Sequence, residues 1–509
     1  MMGRDLHSRP RANRQSLATK QTLTLIVMDN AVRGRLMHGT QRALQPSIGA
    51  RAARVTTTPK QLMTGAILLV GGTASALVWP HVGAALLILV QAGFLVIVLW
   101  RFLTVIVSQQ PSPPSPPAPA ALPRYSVVVA LYDEAAILPY LVERLSRLDY
   151  PGHLLDGYLV LEAHDQATIS AALAMKRPAW LQVLVVPSGV PTTKPRALNH
   201  ALAVAKGEFL TVYDAEDDPD PLQLKEAAAR FANEDDDLVC LQAPLRIRRI
   251  HRGYEDSPFL DRHFAAEYAA LFEITLPAMA RMGMPFPLGG TSNHFRTSAL
   301  RALDGWDAWN VTEDADLGFR IWRRGWRLGV LTRPTYETPP GRLLHWLPQR
   351  TRWLKGYMQT LLVHTRSVSG MGWRGWSALA LTLGAALASA ALHALSVAWI
   401  ATFFLLALLA RDLPATPWMG LGILLSGTAA AAMTTLIGAR RAHTPFNAWD
   451  VLAAPGYWSL LSLAFIHALI RLIAEPHRWD KTAHKPDVAP QDFPPMPESA
   501  VAESGRAAA

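Results

Sequence analysis

The sequence predicts an α/β domain with a parallel sheet, inserted between apolar helices that cross a membrane. Three observations predict it. Between residues 123 and 366, short apolar runs alternate with helical stretches, as βαβ crossovers require. On both sides lie apolar stretches near the roughly 20 residues a membrane span needs. Half of the 509 residues are hydrophobic and only 17% are charged, an apolar balance for a soluble enzyme.

The chain begins with a basic region, residues 1–60. It carries eleven Lys or Arg against two acids, Asp5 and Asp29, so it holds most of the net charge of +10. A basic segment ahead of an apolar span predicts a cytosolic N-terminus, disordered or lying on anionic lipid. No zinc-finger, RRM-like or homeodomain pattern accompanies it, so nucleic acid is not an expected partner. The basic part is also too long for a signal peptide. The single cysteine, Cys240, excludes an intrachain disulfide framework and every multi-cysteine zinc pattern.

Residues 61–108 hold two predicted spans, Leu62–Val78 and Ala84–Val107, separated by Trp79-Pro80-His81. Arg101, near the end of the second, is expected to snorkel to the headgroups. Residues 109–122 contain the Pro-rich run Pro111–Pro119, a semi-rigid polyproline spacer.

Within the domain, residues 123–366, predicted strands cover Ser126–Leu131, Tyr158–Leu161, Leu181–Val186 and Phe209–Tyr213. Helices are expected at Ala135–Leu148, Thr168–Lys176 and Ala197–Ala205, with a long one from Phe259 to Met282. Residues 367–474 are apolar again: an interfacial helix running into a span over Ser377–Ala410, then spans at Trp418–Gly438 and Val451–Ile473. Three C-terminal spans place Arg478, Lys481 and Lys485 of the polar tail, residues 475–509, outside; four place them inside, as the positive-inside rule prefers. The total is five or six spans.

Chemistry gathers where strands end. Phe209–Tyr213 stops at four carboxylates, Asp214, Glu216, Asp217 and Asp218. Acids crowded at a strand tip suit a divalent cation bound with a diphosphate. An acidic helix start before Pro219 and Pro221 explains the same residues. Other strands end in Tyr132-Asp133-Glu134 and in Glu162 with Asp165, and Lys194 with Arg196 follows the third. Thr312-Glu313-Asp314 and Gln349-Arg350-Thr351-Arg352-Trp353 come downstream. Convergence of these groups on one sheet edge makes a site rather than scattered surface charge.

In that order the motifs resemble the membrane-integrated family 2 glycosyltransferases, and among them the cellulose-synthase-like polysaccharide synthases. The resemblance covers about Pro123 to Trp353 and the flanking spans. It implies a Rossmann-like GT-A domain, a UDP-sugar donor, Mg2+ or Mn2+, inversion at the anomeric carbon, and a growing polysaccharide or a glycolipid as acceptor. It also implies a multi-pass protein of the bacterial inner membrane with a cytosolic catalytic domain.

Carried over residue by residue, Asp133, Glu134, Glu162 and Asp165 hold the uracil and ribose, with Lys194 alongside. Asp214 and Glu216 match the metal–diphosphate motif. The usual second Asp is a Glu here, so Asp217 is a rival ligand. Glu313 and Asp314 match the catalytic pair, Asp314 being the general base toward the acceptor hydroxyl. Thr312 is expected to cap an Ala315–Trp322 helix and so aim Asp314. Gln349, Arg352 and Trp353 match the motif whose Arg meets the diphosphate and whose Trp stacks on the acceptor sugar. Gly290, Thr291, Ser292 and Asn293 lie where the family keeps an acceptor-binding loop. Histidines 251, 263 and 345 lack metal-ligand spacing and are expected to be structural.

Overall fold

The computed structural model describes residues 52–109, 119, 121–248, 256–409 and 418–479. Residues 1–51 of the N-terminal region, most of the Pro-rich spacer, His251 and the tail beyond Trp479 lie outside these residues, whereas residues 52–60, expected to be disordered, are ordered.

Two long helices, α1 (Pro59–Val78) and α2 (Pro80–Ser108), turn at Trp79, with Pro80 in the first turn of α2, where its missing N–H costs nothing. The domain follows as β1 (Tyr125–Leu131), α3 (Leu138–Ser146), β2 (Leu155–Glu162), α4 (Gln166–Ala174), β3 (Leu181–Val186), α5 (Lys194–Val204) and β4 (Phe209–Tyr213). Next come β5 (Asp218–Pro219), α6 (Gln223–Ala232), β6 (Leu238–Gln242), β7 (Leu245–Ile247), α7 (Pro258–Ala269) and α8 (Leu276–Arg281). Then follow β8 (Asn293–Arg296), α9 (Thr297–Ala302), α10 (Glu313–Arg323), β9 (Arg327–Val330), β10 (Thr335–Glu337) and α11 (Leu343–His364). Three long apolar helices close the chain: α12 (Gly372–Leu408), α13 (Trp418–Arg441) and α14 (Ala448–Ala474).

The main sheet runs β3-β2-β1-β4-β8-β6-β9, with a small second sheet β5-β10-β7. It is GT-A-like and mixed, and the four strands read from the sequence form its parallel half, as expected. Strands β1 to β4 are parallel, but β8 is antiparallel to both β4 and β6. The reason lies in the connection. β8 is not reached by a crossover helix; it follows α7–α8, which leaves the sheet to pack on the flanking helices, so the chain re-enters from the opposite edge. A π turn, Ala270–Thr275, joins α7 to α8 just before Pro277, whose ring removes a helical donor.

Alternation along the strands divides the core. Val128, Tyr158, Val160 and Val212 face one layer, and Val127, Val129, Leu159 and Tyr213 the other. The first layer continues without a break into Trp346 and Leu354 of α11, Leu383 of α12 and Tyr457 of α14. Domain and apolar helices therefore share one hydrophobic core. Both ends of α14 rest on the domain: Asp450 pairs with Arg262 of α7 at 2.7 Å, and Lys355 of α11 donates to the carbonyls of Glu475 and Arg478. The segment before α1 docks there too, with the Ala53 N–H on Asp307 at 2.6 Å and Arg366 on the carbonyls of Ala52 and Thr56.

Gly207 fixes the entry into β4. A Cβ there would overlap the Ser126 amide nitrogen and the Phe209 carbonyl oxygen, both backbone and unable to step aside. Gly207→Ala should therefore destabilise the domain by about 1–3 kcal/mol, read as a lower melting temperature of the detergent-purified protein.

Candidate functional site

The carboxyl ends of β1, β2 and β4 open onto one cavity of about 1090 Å³ that extends down between the apolar helices. At the end of β1 the chain turns through Asp133, in the left-handed region (φ 54°) that Asp tolerates better than most residues. The Asp133 N–H donates to Asp165 at 2.5 Å, and the other Asp165 oxygen accepts from the Thr168 N–H, capping α4. Asp165 thus shapes the Asp133 turn, and it does not line the cavity. Glu134 and Glu162 line the cavity. Glu162 is raised by burial, against the pull of Arg196, which forks onto it at 2.6 and 2.8 Å.

Asp214 and Glu216 also line the cavity; Asp217 does not. Asp217 is fully buried beneath the turn and accepts from the Asp214 N–H at 2.7 Å and from the Thr291 hydroxyl. Asp218 is held by Arg147 and Arg248. Burial, together with the Asp214 charge, pushes Glu216 up to about 8, and the same causes raise Asp217 well above the carboxylate range. Glu337, at the end of β10, lines the same cavity and is raised by burial and by Asp217, Glu216 and Asp214. The sequence reading missed Glu337; an acid closing a short strand before Thr338-Pro339 is its only signal.

Among the described residues no three His, Cys, Asp or Glu are gathered closely enough to hold a metal unaided. Asp214 and Glu216 nevertheless offer hard oxygens to a site crowded with acids. Mg2+ commonly takes one or two carboxylates and completes its shell with phosphate and water. The residues present fit that arrangement.

Lys194, on the first turn of α5, joins the two halves of the site. Its Nζ donates to the Gly290 carbonyl at 2.6 Å and pairs with Asp214. Burial alone would lower its pKa, but Asp214, Glu313 and Asp314 raise it above the ordinary lysine value. Glu313 is pushed up to about 8 by burial and by Asp314, and Asp314 is raised by burial. Asp314 accepts from the Ala315 N–H at 2.7 Å, and its other oxygen lies 3.2 Å from where a Cβ on Gly290 would stand. Gly290 thus leaves room for the carboxylate.

Thr312 occupies the N-cap position of α10 but its hydroxyl caps nothing; it donates, as does its N–H, to the Asn310 side chain. What aims Asp314 is packing: a Cβ on Gly356 of α11 would overlap the Thr312 side chain. Gly356→Ala should push Thr312 and the start of α10 aside and lower kcat by about 10²-fold while donor KM holds, as steady-state kinetics would show. Asp316 is fully buried against His364 at 3.0 Å and does not line the cavity.

Gln349, Arg352 and Trp353 all line the cavity. Arg352 donates to the Val311 carbonyl at 3.3 Å and lies 4.6 Å over the Trp479 ring, a residue from the tail that the sequence reading missed. Trp353 packs beside Tyr268 at 5.9 Å and under Arg350 at 4.5 Å. Gly290 and Thr291 reach the cavity, whereas Ser292 and Asn293 do not. Ser292 donates to Thr335, and Asn293 donates to the Gly289 carbonyl. That corrects their expected place on the acceptor: they begin β8 with side chains turned inward.

The chain matches the model for "Glycosyl transferase family 2" over residues 126–290 and that for "Glycosyl transferase family group 2" over residues 209–412. It is 28% identical to the beta-monoglucosyldiacylglycerol synthase of Synechocystis over 52% of this chain and 56% of that protein. It is 26% identical to cellulose synthase 2 of Novacetimonas hansenii over 45% of this chain and 14% of that one. A solved mannosyltransferase from Pyrobaculum calidifontis, in complex with GDP-Man and Mn2+, aligns over 75% of this chain and 99% of its own at 19% identity and a TM-score of 0.49. The chain spans about half the length of the first curated relatives it matches.

Proposed function

Residues 126–290 and 209–412 carry family 2 glycosyltransferase domains, and from that premise we propose that the chain transfers a sugar from a UDP-sugar to a hydroxyl acceptor held at the membrane, with inversion. The observation that carries the reading is one cavity lined by Asp214, Glu313 and Asp314 together with Lys194, whose ammonium pairs with Asp214 and feels the charge of the other two acids. Asp133, Glu134 and Glu162 take the uracil and ribose, whose N–H and hydroxyls a carboxylate accepts. Asp214 and Glu216 hold the divalent cation, which when bound offsets the charge growing on the leaving diphosphate. Arg352 meets the diphosphate from the far side. Asp314 removes the acceptor proton as the hydroxyl attacks the anomeric carbon.

A base works ionised, so the rate falls as pH drops through its pKa. Burial places that acid limb above the ordinary Asp value of about 3.9, and Lys194 holds it down. Lys194→Met should therefore shift the acid limb of the kcat–pH profile toward higher pH.

Five helices are long and apolar enough to cross a membrane. Because the segment before α1 and both ends of α14 rest on the domain, our reading is four crossings, α1, α2, α12 and α13, with α14 lying along the domain. Domain and tail then share the cytosolic side of the bacterial inner membrane.

The lower cavity is lined by apolar side chains of α2, α12 and α13, which suits a lipid acceptor. Elongation of a polysaccharide is the second reading, supported by Trp353, Tyr268 and Trp458 on the cavity wall. Incubation with labelled nucleotide sugar separates them: a single lipid-extractable product supports the first, and label resistant to extraction the second.

A further inference from the structure

Resting on the lipid-acceptor reading, we propose that Arg101 binds the phosphate of an anionic glycerophospholipid whose head-group hydroxyl is the acceptor. The sequence suggests that Arg101 snorkels to the headgroups; in the structure it lines the cavity, together with Thr104. Its side chain has no hydrogen bond or ion pair among the described residues. Glu267 is the carboxylate whose charge reaches it. Yet Glu267 is already engaged, accepting from Arg350 at 2.9 Å and from the Tyr457 hydroxyl at 2.8 Å. Arg101 and Arg350, both on the cavity wall, thus stand against the single carboxylate of Glu267.

An unpaired cation inside a membrane helix is costly to keep and marks a function. Its depth names the ligand. Arg101 lies seven residues before the end of α2 at Ser108, about 10 Å along the helix, near the boundary of headgroup and acyl chain. Beyond it the wall turns apolar, with Leu87, Val90, Phe94, Ile97 and Leu424. Toward the domain the cavity leads past Trp353 to Asp314. A ligand that fills this path has two chains, then a phosphate, then a hydroxyl. In the transfer, the hydroxyl oxygen bonds to the anomeric carbon and the bond to the diphosphate breaks. The proton passes to Asp314, and the products are a glycosylated phospholipid and the nucleoside diphosphate.

The test uses the full chain in phosphatidylcholine nanodiscs doped with either phosphatidylglycerol or diacylglycerol. Lipid retention is read by native mass spectrometry after transfer to detergent. Phosphatidylglycerol should be retained over both phosphatidylcholine and diacylglycerol. Arg101→Gln should cut that preference by tenfold or more, and Arg101→Lys should keep most of it. Equal retention of the lipids, or an Arg101→Gln variant with undiminished preference and an unchanged melting temperature, overturns the proposal. Displacement of phosphatidylglycerol by millimolar glycerol 3-phosphate would assign the site to free phosphate esters and overturn the lipid. Nucleotide release from nucleotide sugars is followed in parallel. Release without phospholipid labelling refutes this inference alone, whereas no release from any nucleotide sugar refutes the transferase reading beneath it.

Discussion

Asp314→Asn should lower kcat by about 10²–10⁴-fold while leaving nucleotide-sugar affinity within about threefold. The size follows from chemistry. A hydroxyl is a weak nucleophile at neutral pH, and a positioned carboxylate is the group that takes its proton in the transition state. Asn keeps the shape and the acceptor oxygen toward the Ala315 N–H but cannot take a proton. In the proposed reading the donor is held by Glu134, Glu162 and Asp214, which this change leaves in place, so its binding should survive. Isothermal titration with the unreactive nucleoside diphosphate checks this half. Equal losses in affinity and turnover would mean that Asp314 supports the fold of the site rather than the chemistry.

Asp214→Asn should abolish metal-dependent turnover, a loss of about 10²-fold or more if the cation supplies about 3 kcal/mol of charge stabilisation. It should also weaken Mn2+ binding, measured by paramagnetic resonance in the presence of nucleoside diphosphate, a readout independent of activity. The paired change is Asp217→Asn. If Asp217 only ties the turn through Thr291 and the Asp214 N–H, its loss lowers the melting temperature but leaves Mn2+ affinity nearly intact. The opposite pattern would return Asp217 to the metal and release Glu216.

How far the sequence could be read follows the range of the interactions involved. Strands β3 and β4 lie where their mostly apolar runs begin and end, β4 buried at every residue and β3 at four of six. That Glu134, Asp214 and Asp314 reach the cavity was legible because each stands beside a local pattern, a strand end or a helix start; Asp133 instead shapes the turn beside it. The orientation of β8 was not, since it depends on the detour of α7–α8 across the apolar helices. Asp165, Ser292 and Asn293 sit within the right motifs but bond inside the protein and do not line the cavity, which spacing alone does not reveal. Glu337 reaches the carboxylate cluster only because β10 pairs with β5 and β7. Trp479 reaches Arg352 only because the tail returns to the domain. Arg101 was read as a snorkelling surface residue because its helix shows no amphipathic stripe to say which side is inward.

If one cavity joins a metal–diphosphate floor to a general base beside Lys194, the most direct measurement is release of free nucleotide from a panel of nucleotide sugars by the nanodisc-embedded protein, with and without chelator. Release from a UDP-sugar should need a divalent metal and be lost in both Asp214→Asn and Asp314→Asn. Release that persists at full rate in Asp314→Asn, or in excess chelator, would contradict it.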